Sequence, residues 1–233
     1  MGDEIMFQNK HKIITFSFDD GVVDDIRLVA LFNKYGLKST FNLNAGHLTK
    51  ALGWRYKDVK DVRHINYYDD PNLYDGHEIA CHSYNHPRLE NLDVPTMDNQ
   101  IRLDKNILEH LYHCKVCGMA YPYGTYNDTI IEVLRNNDIE YSRTVNSTYD
   151  FKLPEKPLTW HPTCHFKDER RMELAEAFVN AESAEDMLFY IWGHSYELVT
   201  EEDWADFEEF CAFIAEREDV YYCTNIEVLK FYF

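Results

Sequence analysis

Short apolar runs alternate with amphipathic stretches along nearly the whole sequence. The run 12–18 is rich in β-branched and aromatic residues, which predicts a buried strand that ends at two aspartates. Apolar residues then recur at helical spacing over 23–35, and Gly36 supplies a helix stop. The run 39–44 predicts the next strand, so the chain opens with a strand–helix–strand unit.

The same alternation continues to the C-terminus. Further strands are predicted at 78–81, 116–121, 139–144, 187–192 and 220–223, and further helices near 96–112, 127–136, 170–181 and 201–216, with a short helix at the end. No linker rich in Pro, Gly or Ser interrupts them, so we predict one α/β domain over 1–233 with a parallel sheet, either a barrel or an open doubly wound sheet. The polar stretch 50–75 lacks periodicity, and we predict an inserted loop at the rim.

Composition and charge narrow the function classes. With 45% hydrophobic and 15% aromatic residues in 233, the chain is not a disordered protein. The 23 basic and 41 acidic residues give a net charge of −18, so we expect neither nucleic acid nor a membrane surface as a partner. Because no signal peptide or bilayer-length apolar run is visible, we expect six reduced cysteines and a cytoplasmic protein. The sequence leaves the oligomeric state open.

Two carboxylates and two imidazoles follow predicted strands, where parallel α/β folds carry their reactive groups. Asp19 and Asp20 repel each other, so one of them binding a metal while the other takes up a proton would explain the pair. An Asp-Gly turn with a solvated neighbour is the structural alternative. His82 and His86 are spaced i, i+4 and can face one ion, to which Asp20 would add an oxygen. Two imidazoles and one carboxylate leave coordination positions open, as in catalytic zinc sites.

Three further features have both a functional and a structural explanation. The pair His161 and His165 has the same spacing but lies in an irregular stretch, where we expect a rim, groove or packing role. The turn Tyr121-Pro-Tyr-Gly124 is either only a turn or directs a backbone N–H at a developing oxyanion. His194, which follows an apolar strand, is either a structural residue or a general acid.

Taken together, four motifs resemble those of the polysaccharide deacetylase family, the carbohydrate esterases of family four. In this sequence they read Thr15-Phe-Ser-Phe-Asp-Asp-Gly21, Gly76-His-Glu-Ile-Ala-Cys-His-Ser-Tyr-Asn-His-Pro87, Ala120-Tyr-Pro-Tyr-Gly124 and Trp192-Gly-His194. The resemblance extends from about residue 12 to the C-terminus. It implies a single domain that is a distorted (β/α) barrel with fewer than eight units.

The resemblance also implies a role for each site residue. The ligands of a divalent metal, most often zinc, with Co²⁺, Ni²⁺ or Mn²⁺ as other candidates, would be Asp20, His82 and His86. Asp19 would be the general base, His194 the general acid, and the backbone N–H of Tyr123 an oxyanion donor. The rim loop would offer aromatic rings such as Trp54 or Tyr67 to sugar faces. The substrate groove would include Pro122, Trp160, His161 and Trp192.

The sequence departs from the family pattern in two places. Ala120 stands where the family has an arginine beside the catalytic aspartate. Its absence is expected to raise the pKa of Asp19 and to move activity to higher pH, unless Arg143 or Arg88 substitutes. We therefore expect an Ala120→Arg variant to have a lower pH optimum. The family's fourth motif, which supplies a partner for His194, cannot be located.

These features predict an enzyme, a metal-dependent deacetylase that hydrolyses carbon–nitrogen (non-peptide) or ester bonds in N- or O-acetylated carbohydrate. One alternative keeps the site but hydrolyses a small cyclic amide or ureide. Another is a non-catalytic carbohydrate-binding descendant, which would not need the base Asp19. Thiol redox chemistry through Cys114-x-x-Cys117 is a weaker alternative, because the pair precedes a strand and lacks the help of a helix N-terminus.

Overall fold

A computed structural model describes residues 10–49 and 52–232 of the chain. Its strands are β1 (Lys12–Asp19), β2 (Ser39–Leu43), β3 (Gly53–Tyr56), β4 (Lys60–Arg63), β5 (Glu78–Cys81), β6 (Gly118–Ala120), β7 (Tyr141–Arg143), β8 (Cys164–His165), β9 (Met187–Gly193) and β10 (Val220–Tyr222). Its helices are α1 (Asp25–Lys34), α2 (Val94–Tyr112), α3 (Asp128–Asn136), α4 (Arg171–Asn180), α5 (Glu201–Ile214) and α6 (Asn225–Tyr232). Every strand and helix predicted from the periodicity forms, with ends shifted by a few residues.

Eight of the strands form one parallel sheet that curls into a distorted barrel. The order is β7-β6-β5-β2-β1-β9-β8, and β10 pairs with the first half of β1. Trp160 pairs with Arg143 at one edge, and β8, a few residues later, pairs with β9 at the other edge. The segment 160–165 therefore connects the two edges. Since some strands lack a following helix, the single domain has fewer than eight β/α units, as predicted.

Aromatic packing buries the central strand. Every residue of β1 is buried, and Phe16 and Phe18 both pack against Phe32 of α1, with ring centroids 4.8 and 5.7 Å apart. Phe18 also meets Phe207 of α5 at 6.1 Å. Helices on the outer face thus hold β1 rigidly. The side chains that follow it are consequently held in place relative to the sheet.

The rim stretch 50–75 contains more regular structure than its sequence predicts. Residues 50 and 51 lie outside the described residues, but β3 and β4 form an antiparallel hairpin. Lys57 and Asp58 make its turn with φ of 45° and 57°. Neither is the Gly or Asn that normally marks such a turn. Both strands have only 4 residues and are largely exposed, so the alternation of Trp54 and Tyr56 in β3 is too short to reveal them.

The carboxyl ends of the parallel strands all open at one rim of the barrel. The sequence places its candidate site residues directly after β1, β5, β6 and β9, so they share this rim. No helix within residues 10–49 and 52–232 combines the length and the apolar character that crossing a membrane requires.

Candidate active site

The candidate metal ligands come together at the rim. Oδ1 of Asp20 lies 3.6 Å from Nε2 of His82 and 3.8 Å from Nε2 of His86. These separations are close to the edge of a tetrahedral site, about 3.3–3.5 Å for bonds of about 2.0–2.1 Å. Nδ1 of His82 donates to the carbonyl of Ala120 at 2.8 Å, which leaves Nε2 as a lone pair directed towards Asp20. The three side chains therefore have the donor atoms and spacing that a divalent cation requires, and His82 also has the required tautomer.

Strained backbone presents these ligands. Asp20 and His86 both have left-handed φ values, 80° and 54°, which non-glycine residues rarely adopt and which cluster at functional sites. β2 lies between β1 and β5, so the side chains from the two outer strands converge above its end. Asp104 of α2 secures the second ligand loop, because it accepts from the backbone N–H groups of His82 at 2.9 Å and Ala45 at 2.7 Å.

Asp19 is buried and forms an ion pair with Arg143, which lies outside the four motifs quoted above. Nη2 of Arg143 donates to both oxygens of Asp19, with 2.6 Å to Oδ1, and Nδ2 of Asn42 donates to the same Oδ1 at 2.9 Å. Both Arg143 and Asp19 are almost inaccessible to solvent. Ala120 and Arg143 are register partners on β6 and β7, so their side chains leave the same face of the sheet.

The expected rise in the pKa of Asp19 therefore does not occur, because the alternative holds and Arg143 substitutes for the missing arginine. Burial alone would raise it, but Arg143, with His82 and His194, outweighs burial and lowers the pKa below its ordinary value. Arg143, one strand away, supplies the charge that Ala120 lacks. We therefore no longer expect a lower pH optimum for an Ala120→Arg variant. Arg143 already places a guanidinium beside Asp19, and Ala120 is fully buried.

His194 stands beside both aspartates and has a partner that the sequence did not reveal. Its Nε2 is 3.9 Å from Oδ2 of Asp19 and 4.0 Å from Oδ2 of Asp20. Its Nδ1 is 3.7 Å from Oε2 of Glu197, which also lies 2.9 Å from Nε2 of His165. Glu197 follows His194 by three residues in a short 3-10 turn, and no motif marks it.

The tautomer of His165 decides what this second cluster does. The backbone N–H of Lys167 donates to Nδ1 of His165 at 3.1 Å, so the proton of the neutral ring is on Nε2, which lies 2.9 Å from Oε2 of Glu197. His165, His194 and Glu197 are spaced closely enough for a metal ion. However, a metal on Nε2 would leave Nδ1 needing a proton where it already faces an N–H donor. The cluster is therefore better explained as a glutamate that places its negative charge between His165 and His194 than as a metal site.

The carboxylates keep His194 protonated. Burial lowers the pKa of His194, but Glu197, Asp20 and Asp19 outweigh it and raise the pKa to about 9. In turn, burial would raise the pKa of Glu197, but its two histidine neighbours hold it well below its ordinary range. A protonated imidazole beside an ionised aspartate is the pairing that general acid–base catalysis needs.

Replacing Glu197 by Gln tests this arrangement. The variant removes the negative charge beside Nδ1 of His194, so we expect the pKa of His194 to fall. The alkaline limb of kcat/KM should then move to lower pH by about one unit, because the acid loses its proton earlier. The measurement is acetate release from an acetylated saccharide across pH. Glu201→Gln, at an exposed glutamate outside the site, is the matched control, and an alkaline limb unmoved in Glu197→Gln would refute the role.

A cavity of about 290 Å³ lies against the candidate ligands. The residues that line it come from the strand ends, the rim hairpin and the turn after β9, and they are Asp20, Asn44, His47, Trp54, His64, His86, Tyr123 and Tyr196. Tyr123 has a left-handed φ of 58° and packs its ring edge against His86 at 4.6 Å. The hydroxyl of Tyr67 bonds instead to the carbonyl of Leu111, outside the cavity. Of the two rim aromatics named from sequence, only Trp54 reaches the site.

None of the four predicted groove residues lines this cavity. Trp160 is buried, its indole packs between Tyr141 and Tyr190, and the residue borders a separate depression beside His161. Pro122 is also buried. Trp192 lies under the guanidinium of Arg143, with 4.5 Å to the ring centroid, and supports that side chain instead.

His161, the last of the four groove residues, and the cysteine pair also lie elsewhere. Nδ1 of His161 bonds to Oγ1 of Thr144 at 2.5 Å, beside a different depression. Burial raises the pKa of both Cys114 and Cys117, so their reactive thiolate forms are disfavoured. The arrangement of the pair gives no support to thiol redox chemistry.

The parallel barrel and its rim cluster define a (β/α) protein with a candidate divalent metal site. A model of the polysaccharide deacetylase family matches residues 8–142, more than half of the chain, and the chain belongs to this family. The matched range includes Asp19, Asp20 and both candidate histidine ligands. Arg143 and His194 lie beyond it.

Individual relatives are distant. "Putative polysaccharide deacetylase YxkH" of Bacillus subtilis is 21% identical over 126 residues, covering 52% of this chain and 40% of that protein. The chain thus spans less than half the length of the curated relatives that it matches. A "putative polysaccharide deacetylase" from Mycobacterium smegmatis has a similar crystal structure, with a TM-score of 0.67 at 17% identity over 97% of this chain and 91% of that one.

The same fold also occurs in a protein described as a pseudoenzyme. BA3943 of Bacillus anthracis, a CE4 family pseudoenzyme, matches with a TM-score of 0.53 at 14% identity, covering 94% of this chain and 66% of that one. At such identities the structural likeness establishes the fold alone. Activity therefore has to be argued from the residues of the site.

Proposed function

We propose that this protein is a metal-dependent deacetylase that hydrolyses acetyl groups from N- or O-acetylated carbohydrate. The observation that carries the proposal is the convergence of three candidate ligands, Asp20, His82 and His86, beside an ionised Asp19 and a protonated His194. A carbohydrate-binding descendant would have no use for a buried base held by its own arginine. Membership of the polysaccharide deacetylase family supports the substrate class.

A divalent cation, zinc in the first instance, fits the three ligands. Bound there, it would supply Lewis-acid polarisation of the acetyl carbonyl and make water a better nucleophile near neutral pH. Hydrogen bonds hold the ligands in advance: Ala120 fixes the tautomer of His82 through its carbonyl, and the N–H of His82 is held by Asp104.

Residues of the protein itself would carry out the proton transfers and stabilise the oxyanion. Asp19 accepts a proton as a water oxygen adds to the acetyl carbon, and its low pKa keeps it ionised for this task. The backbone N–H of Tyr123, at the strained turn beside His86, donates to the oxyanion of the tetrahedral intermediate. His194 gives its proton to the departing nitrogen or oxygen as the bond to the acetyl carbon breaks, leaving acetate and an amine or alcohol.

The proposal is tested by metal analysis and a substrate panel. We expect about one equivalent of zinc in the purified protein and release of acetate from short N- or O-acetylated saccharides. His82→Ala should lower zinc occupancy at least about tenfold, because it removes one of three ligands. His161→Ala, at a histidine outside the cluster, is the control. Saccharides left intact while a cyclic amide or ureide opens would replace this function with the small-amide alternative. Saccharide binding without either reaction would favour a non-catalytic protein.

A further inference from the structure

The rim hairpin is fastened directly to the catalytic loops. The chain around Val22 pairs with His64, and Nδ1 of His64 donates to the carbonyl of Asp20 at 3.0 Å. Lys60 reaches across to Oδ1 of Asp24 at 2.5 Å and to the carbonyl of Leu198 at 3.1 Å. The hairpin therefore spans from the loop after β1 to the turn after β9.

The hairpin provides one wall of the cavity. Trp54 stands edge-on to Tyr196, with ring centroids 5.2 Å apart and planes at 87°, and packs on His64 at 5.1 Å. Tyr56 also packs against Tyr196, with ring centroids 5.1 Å apart. Edge-to-face contacts of this kind hold an aromatic ring in a fixed orientation. Trp54 and Tyr196 thus form a packed wall of the cavity, which we call the Trp54–Tyr196 wall. Trp54 is half-buried and lines the cavity.

Size and placement limit what can occupy the cavity. Its volume of about 290 Å³ is at the lower end of the range for small-molecule sites. A polymer lying across the metal ligands needs open surface on both sides of them, and the Trp54–Tyr196 wall occupies one side. A saccharide that extends away from the hairpin would avoid this wall.

We propose that the cavity holds one acetylated sugar residue at the end of a saccharide, with its apolar ring face on Trp54, so that the substrate is a monosaccharide or a chain end. The inference rests on the proposed deacetylase function and names its substrate class. In this proposal the Trp54–Tyr196 wall closes one side of the cavity, so an internal residue of a polymer would not fit.

A chain-length series tests the proposal on the zinc-loaded protein. The probes are N-acetylglucosamine and its β-1,4-linked dimer and hexamer, together with the acetylated xylose equivalents. We expect kcat/KM per molecule to differ by less than about threefold between monomer and hexamer, because one residue makes all the contacts. Mass spectrometry should find one acetyl group lost per hexamer, at one end. A rise of more than about tenfold with length, or loss of internal acetyl groups, would overturn the proposal.

Two variants and a binding measurement distinguish a failure of the one-residue pocket from a failure of the proposed deacetylase function. Trp54→Ala should lower kcat/KM about tenfold for saccharides of every length, with zinc content unchanged. Tyr68→Ala, at an exposed aromatic of the same rim insertion, should change neither kcat/KM nor zinc content.

Calorimetric titration of Asp19→Asn measures binding without turnover, and it should give equal affinities for monomer and hexamer. If no saccharide is deacetylated but both bind equally, the deacetylase function fails while the one-residue pocket stands. If the hexamer alone binds, the pocket proposal fails.

Discussion

Asp19→Asn is expected to lower the rate of acetate release by about 10³-fold while zinc stays bound. The carboxamide has nearly the shape of the carboxylate, and its oxygen can still accept from Asn42, but it cannot take a proton from water. Asp19 is not among the three candidate ligands, so metal content should be unchanged. The measurement is kcat on an acetylated saccharide with metal analysis of the same sample.

Asp20→Asn provides the contrast for this result. It changes the carboxylate that faces both histidines, so we expect it to lose zinc and activity together. The Asp19→Asn variant leaves the guanidinium of Arg143 without its counter-charge, and a thermal melt should accompany the kinetics to establish that the assay temperature is below unfolding. An Asp19→Asn variant that keeps activity within about tenfold of the parent would remove Asp19 from the mechanism.

Arg143→Met is expected to lower the free energy of unfolding by about 3–5 kcal/mol at pH 7, because it leaves the buried carboxylate of Asp19 unpaired. Burial then dominates and raises the pKa of Asp19, which Arg143 held low. Below that raised pKa Asp19 is protonated, so the loss of stability should shrink as the pH falls towards about 4. The acid limb of kcat/KM should move to higher pH for the same reason.

Urea unfolding at several pH values, with Arg135→Met as the control, measures this effect. Arg135 is exposed, and its replacement should change stability by less than about 0.5 kcal/mol. The double variant Ala120→Arg/Arg143→Ala returns the guanidinium to the neighbouring strand on the same face of the sheet, and it should recover part of the lost activity. A stability loss in Arg143→Met that is equal at pH 4 and pH 7 would contradict the Asp19 pairing.

The barrel could be predicted because its strands bury both faces and its helices keep one apolar side. The run 12–18 is rich in β-branched and aromatic residues, and every residue of β1 is buried, as expected of a central parallel strand. The hairpin at 53–63 escaped prediction because its strands are exposed and its turn uses Lys57 and Asp58. Stability there comes from contacts to distant loops, such as Lys60 to Asp24, and no local pattern encodes them.

Those site residues that lie within short sequence motifs could be predicted. Asp20, His82 and His86 follow strand ends that lie close together in the sheet, so their meeting could be inferred from topology. Glu197 could not be identified, because no motif marks a residue one turn after His194. Arg143 was one of two candidates beside Arg88, because its position in register with Ala120 on the next strand is visible only in the fold. The burial of Trp160 could not be predicted, because a tryptophan in an irregular segment gives no sign of whether its ring faces the core.

The candidate metal site is tested most directly by an anomalous-difference map at the zinc edge from crystals of the zinc-loaded protein. We predict one strong peak about 2.0–2.1 Å from Oδ1 of Asp20 and from Nε2 of His82 and His86. A peak among His165, His194 and Glu197 instead, or none beside Asp20, would contradict this prediction.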